Sequence, residues 1–187
     1  MSADNMDRID WMIDIETDGL NAEINSITSI AVVEFQLGQL CDIDEVIKCH
    51  YTLTCPDDRA VDLKTLAWRK ENDVDIMERN LSEVKYETFL AQLHDFLSHE
   101  STRTPHVWAK PTLFDFGFLT SYLNRYANGN IPWHHRHVHD VNSFIDGRGL
   151  DRNEVFARAE KDLSWHMPHN ALYDCVFQIA MLKNCFN

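Results

Sequence analysis

The sequence predicts an α/β fold: a mixed five-stranded sheet with helices on its faces. Two observations carry this. Runs rich in Ile and Val come first in the chain, separated by turn residues. Amphipathic helical stretches then alternate with short strand-like runs. Strands followed by alternating helices and strands fit a sheet of mixed direction with covered faces.

Ile9–Ile15 alternates well enough for a strand, with Trp11, Ile13 and Ile15 on one side and Met12, Asp14 and Glu16 on the other. Ile27–Phe35 reads as a buried strand. The turn signal Leu37-Gly38-Gln39 and a returning strand over Cys41–Leu53 make a hairpin or meander, with Asp42–Glu45 as an exposed hairpin end. Pro56-Asp57-Asp58 breaks it, and Asp62–Glu71 forms a short helix carrying Trp68. Ser82 is expected to cap an amphipathic helix ending near His99, with Phe89, Leu90, Leu93, Phe96 and Leu97 as its apolar stripe. A strand follows over His106–Ala109. Phe114–Tyr126 is a helix closed by Asn128-Gly129-Asn130. Val138–Val141 is the last strand, Asp151–Lys161 is helical, and Pro168 precedes a final helix over Asn170–Asn184. That helix turns Leu172, Val176, Ile179, Ala180 and Leu182 inward.

At 187 residues the chain reads as one domain over 1–187. A domain of this size buries roughly 70% of its unfolded surface and needs no staples. Apolar residues make up 44% and charged residues 25%, a globular balance. No apolar run is long enough to span a membrane, and Ser2-Ala3-Asp4-Asn5 is polar, so a soluble cytoplasmic protein without a membrane partner is expected. The five cysteines lack C-x-x-C spacing and are odd in number, which favours reduced thiols over a disulfide framework. A net charge of −13 argues against broad capture of duplex DNA. It leaves room for a site where acids hold cations and the cations bring in phosphate.

Asp14 and Glu16 lie two apart at the end of an apolar strand, so both face one side. Paired carboxylates repel unless solvated or joined by a cation, and oxygen donors suit Mg2+ or Mn2+. Asp115 stands where a strand feeds a helix. His169 precedes the last helix, and Asp174 lies in its first turns. Strand ends and helix starts are common places for a site.

The order Asp-x-Glu, Asp, His-x-x-x-x-Asp resembles the DEDDh class of 3′–5′ exonucleases in the RNase H-like superfamily. Asp14-Ile15-Glu16-Thr17-Asp18-Gly19-Leu20 resembles the first motif, Phe114-Asp115 the second, and His169-Asn170-Ala171-Leu172-Tyr173-Asp174 the third. Thr65-Leu66-Ala67-Trp68, Val107-Trp108-Ala109, and Ile131-Pro132-Trp133 ahead of His139-Asp140-Val141 are similar to the phage-type branch, related to exodeoxyribonuclease VIII-like and mycobacterial 3′–5′ exoribonuclease-like domains. The chain differs from that branch at Ala67, at Glu71 and at Ala109-Lys110-Pro111.

The resemblance implies an RNase H-like sheet and a phosphodiesterase using two Mg2+ or Mn2+ ions. Asp14, Glu16 and Asp174 would hold one ion, Asp14 would bridge to the other, and Asp115 would support the second. His169 would accept the proton of the attacking water, with the rate rising as its imidazole loses charge. The implied reaction releases nucleoside 5′-monophosphates from 3′ ends of single-stranded DNA or RNA. The phage-type similarity tilts towards DNA. Homodimer formation is an option the resemblance implies, although no exposed apolar stripe marks an interface. Alternatives are a nucleotide- or 3′-end-binding protein with a metal pocket but no turnover, and a small-dinucleotide phosphodiesterase.

Thr17, Trp68 and Phe116 are candidates for substrate contact. Trp68 fits either a stack on a terminal base or a core position, and Phe116 or Phe118 fits the cleft or the core. His135, His137 and His139 would share a strand face, but no neighbouring Cys or Glu completes a zinc site. His166 is a weaker base than His169. Asp18, Asp140 and Asp146 read as turn or cap residues, and Lys110 and Arg125 as solvated cations or phosphate contacts.

Overall fold

The computed structural model describes residues 8–42, 44, 48–72, 74, 78, 80–97, 103–163 and 169–186. Six strands form one sheet: β1 (Arg8–Thr17), β2 (Ile27–Phe35), β3 (Lys48–Leu53), β4 (Glu83–Val84), β5 (Thr104–Ala109) and β6 (Val138–Asp140). Their order is β4-β3-β2-β1-β5-β6. The meander β1-β2-β3 is antiparallel, while β4 on β3, β5 on β1 and β6 on β5 are parallel. The helices are α1 (Leu63–Glu71), α2 (Tyr86–Leu97), α3 (Thr112–Tyr126), α4 (Val141–Gly147), α5 (Arg152–Asp162) and α6 (Ala171–Lys183).

Alternation along β1 builds two cores. Trp11, Ile13 and Ile15 pack with Phe89, Leu93 and Leu97 of α2 and with Phe118, Leu119 and Tyr122 of α3. Met12 faces the other way, against Val141 and Ile145 of α4, Val155 and Ala159 of α5, and Cys175, Val176 and Ile179 of α6. Asp14 and Glu16 share the Met12 side by the same parity. The stripes expected on α2 and α6 are the packed faces, with Phe96 and Leu172 partly buried at their margins.

Three expectations need correction. The sheet has six strands, not five, because Glu83–Val84 pairs with the end of β3. Ser82 therefore does not cap a helix: its carbonyl accepts from Thr52 N at 3.2 Å, extending that pairing, and α2 starts at Tyr86. Val141 is not in the last strand. Asp140 ends β6 and caps α4 by accepting from Ser143 N at 2.7 Å. The hairpin end at Asp42–Glu45 and the expected helix end at His99 fall partly outside the described residues, and so does His166.

The loop after β1 is closely packed. A Cβ on Gly19 would meet the Asn25 side chain at 2.1 Å, so glycine is required there. Asn25 accepts from Asn21 N at 2.9 Å and donates to the Ala60 carbonyl at 2.6 Å. The Arg59 guanidinium donates to the carbonyls of Ala22 and Asn25 and to Ser121 on α3, and lies 4.1 Å from the Tyr122 ring centroid. The loop is thereby held between α3 and the chain entering α1.

Candidate active site

Carboxylate oxygens of Asp14, Glu16 and Asp174 lie within 4.8 Å of one another. Asp14 is 9% exposed, near the end of β1. Asp174 is in the first turn of α6, whose start is capped by the Asn170 side chain accepting from Tyr173 N at 3.3 Å. Asp115, in the first turn of α3, is 2% exposed, and its Oδ1 accepts from Ile15 N at 3.1 Å. That bond ties α3 to β1 between the two strand acids. Asp115 lies beside the three-carboxylate set and is not a member of it.

Burial holds the Asp14 carboxyl well above the usual carboxylate range, and the charges of Asp115, Asp174 and Glu16 push it the same way. Burial, then Asp174 and Glu78, push Glu16 up to about 8, with Arg69 opposing. Burial also raises Asp115 to about 7. Left alone, this cluster holds protons. An all-oxygen, mutually repelling donor set, with Asp14 buried and Glu16 and Asp174 half-buried, is what a hard divalent cation offsets, so the residues present fit Mg2+ or Mn2+.

His169 stands beside this set. Its backbone N–H donates to Asp174 Oδ2 at 2.9 Å. Its φ of 63° is left-handed, uncommon for any residue but glycine and a form of strain that collects at functional sites. The Trp68 ring meets the His169 ring edge to face, with centroids 4.7 Å apart. Trp68 is thus not a core residue: it is 41% exposed and its ring lies against the histidine.

Two expected substrate contacts have partners within the fold. Thr17 Oγ1 donates to the Gly19 carbonyl at 2.7 Å, so the hydroxyl fixes the turn. The Phe116 ring packs edge-on against Trp133 at 4.9 Å in the α2–α3 core, and Phe118 is buried there too. His135–His137 is a 3-10 turn, not a strand, so those histidines do not line up on one face. His106, His137 and His139 stack instead, with His106 Nδ1 and His139 Nε2 2.8 Å apart. Among the described residues, the acid set is the only group with metal-ligand spacing. Asp18 accepts from Ser26 N in the loop after β1, and Asp140 caps α4 while also accepting from Thr112 N at 3.0 Å. Asp146 pairs with Arg152, and Arg125 pairs with Asp58 at 2.7 Å.

Two features escaped the sequence. Gln178 donates to Asp14 Oδ1 at 2.7 Å; its place four residues after Asp174 was the available signal. Arg69, 4% exposed, donates to Glu78 at 2.7 Å, to Thr28 Oγ1 at 3.0 Å and to the Thr17 carbonyl at 3.3 Å. Ser29, which pairs with Glu16 across the sheet, donates to the other Glu78 oxygen at 2.5 Å. An arginine in a mostly polar helix gives no sequence sign of burial. Arg69→Met strands Glu78 without its cation, and we expect a loss of about 3–5 kcal/mol in urea unfolding. Arg69→Met with Glu78→Leu should recover most of it; equal losses in both variants would deny the pair this role.

The chain matches the model for the 3′-5′ exoribonuclease Rv2179c-like domain over residues 9–186. It is similar to Ribonuclease T of Buchnera aphidicola subsp. Baizongia pistaciae (strain Bp), 25% identical over 177 residues that cover 94% of this chain and 80% of that protein. Among solved structures it is similar to E. coli Exonuclease I in complex with a dT13 oligonucleotide, with a TM-score of 0.67 at 15% identity over 94% of this chain. The zinc-bound form of the E. coli Exonuclease I–ssDNA complex has a TM-score of 0.67 at 16% identity over the same share. The chain spans 40% of Exonuclease I, and the likeness is one of fold, a mixed sheet with flanking helices of the RNase H-like type. No helix among the described residues is long and apolar enough to cross a membrane. With the matched model running over nearly the whole chain, the chain belongs to the 3′-5′ exoribonuclease Rv2179c-like domain family, within the DEDD-type exonucleases.

Proposed function

We propose that this protein is a metal-dependent 3′–5′ exonuclease that removes nucleoside 5′-monophosphates from the 3′ ends of single-stranded nucleic acid, as a single catalytic domain. The observation that carries the reading is the convergence of Asp14, Glu16 and Asp174 within 4.8 Å of one another, with His169 hydrogen-bonded through its backbone to Asp174. RNA is the substrate class we put first. The family description and the Ribonuclease T relative both name RNA, which outweighs the tilt towards DNA drawn from phage-type motifs.

Asp14, Glu16 and Asp174 would hold the catalytic cation, and Asp115 would support a second one beside Asp14. A bound pair of divalent ions supplies a polarised water and neutralises charge on the leaving oxygen. His169 accepts the proton as the water oxygen bonds to phosphorus and the P–O3′ bond breaks. The released 3′ oxygen regains a proton from solvent. Leu20 and Leu113, 76% and 89% exposed on the segments that leave β1 and enter α3, offer apolar surface to unstacked bases alongside Trp68.

The test is a gel of 5′-labelled single-stranded RNA and DNA of graded length with Mg2+, with Mn2+ and with chelator. A ladder shortening from the 3′ end only with metal, faster on RNA, is the expected result. Binding without cleavage in either metal would favour an end-binding protein. Cleavage confined to dinucleotides would favour the small-substrate reading.

A further inference from the structure

Gln178 is a polar residue on the face of α6 that otherwise buries Cys175, Val176, Ile179 and Leu182. It lies one turn beyond Asp174, so both side chains reach towards β1. It is 4% exposed, and its Nε2 donates to Asp14 Oδ1 at 2.7 Å. Its Oε1 is buried without a hydrogen-bond partner among the described residues. An unsatisfied buried acceptor destabilises a fold, and an unbranched apolar side chain of similar length would occupy the space without that cost. Packing therefore does not explain a glutamine here. The contact with Asp14 does.

The choice of a neutral donor has its own logic. A lysine or arginine would bind the carboxylate more strongly, and would also cancel the negative charge that attracts a cation. An amide fixes the rotation of the carboxylate through one oxygen and leaves its charge in place. We propose that Gln178 is a positioning residue for metal binding, holding Asp14 in the orientation in which it acts with Glu16 and Asp174. The inference rests on the reading of the three carboxylates as a cation site. It adds that metal affinity is set in part by a residue that bonds no metal. Groups that orient metal ligands typically govern affinity or activity by roughly 10–100-fold.

The test compares wild type, Gln178→Met and Asp14→Asn as full-length chains. Mn2+ binding is read by isothermal titration calorimetry, and melting temperature is read in chelator. Gln178→Met should melt at or above wild type in chelator, yet bind Mn2+ roughly 10–100-fold more weakly. The Mg2+ concentration for half-maximal hydrolysis should rise in parallel, with much of the rate recovered at high metal. Gln178→Asn, one methylene short of Asp14, should lose affinity likewise, and it carries the test if the Met variant does not fold. Mn2+ affinity within twofold of wild type overturns the proposal, and so does a variant that melts well below wild type but binds Mn2+ normally. If wild type binds no Mn2+ and Asp14→Asn behaves the same, the failure lies with the cation site itself.

Discussion

Asp14→Asn is expected to slow 3′-end hydrolysis by about 10³-fold or more, roughly 4 kcal/mol of barrier, while raising the melting temperature of the metal-free protein. The two effects share a cause. Asp14 is buried against Asp115, Asp174 and Glu16, each of which raises its affinity for a proton. Asparagine is neutral without taking up a proton on folding, and it also removes a carboxylate ligand. The pH dependence follows from the same groups. Glu16 is raised from 4.5 to about 8 and Asp115 from 3.8 to about 7. Between the ordinary and the raised value, the folded chain keeps a proton that the unfolded chain has released. Stability is therefore lost as pH rises through that window. Half-buried His50 and His106, pulled down to about 4 from 6.5, act in the opposite sense, but only below about pH 6.5. The clean comparison is thus pH 6.5 against pH 8. In chelator the wild type should melt about 5 °C lower at pH 8, and Mg2+ should restore most of the loss. Asp14→Asn should show a smaller drop and little response to Mg2+. Equal melting at both pH values, with and without metal, would remove the electrostatic basis of the site.

Legibility in the sequence tracked how local the determining physics was. The parity of β1 could be read directly, because Trp11, Ile13 and Ile15 alternate with Met12, Asp14 and Glu16, and only one register buries the first set. The α2 and α6 stripes were legible for the same reason, as period and burial agree along one element. β4 was not legible. Glu83–Val84 has no strand pattern of its own and becomes a strand only because the end of β3 has free ladder groups beside it. A serine before an amphipathic run then mimics an N-cap, while its carbonyl is already committed to Thr52 N. Asp14, Glu16 and Asp174 converge as the family resemblance implied, one pair set by strand parity and Asp174 by a capped helix, while Asp115 stands beside them. Phe116 packs edge-on against Trp133, a contact between distant parts of the chain that no local pattern announces. Arg69, Glu78 and Ser29 were invisible because a buried ion pair is a fact of tertiary structure, with no period or motif to announce it.

His169→Ala should lower the rate by roughly 10²–10⁴-fold, the usual contribution of a positioned general base, while leaving Mn2+ affinity close to wild type. The separation is demanding, because His169 also touches the metal set through its backbone N–H to Asp174 at 2.9 Å. Alanine keeps that N–H but tolerates the left-handed φ of 63° poorly, so a loss could arise from a displaced loop. His169→Gly resolves this. Glycine accepts the conformation freely, retains the N–H and removes the imidazole. If the side chain is the base, the Ala and Gly variants lose rate to a similar degree and both bind Mn2+ as wild type does. If the loop is what matters, Gly recovers activity that Ala loses. Trp68→Ala supplies the third comparison, because it leaves the imidazole in place and removes only the ring braced against it at 4.7 Å. A smaller loss, of about tenfold, is expected there, since an unbraced base still samples its working position part of the time. Wild-type rates in both His169 variants would take the proton acceptor away from this residue while leaving the carboxylate site intact.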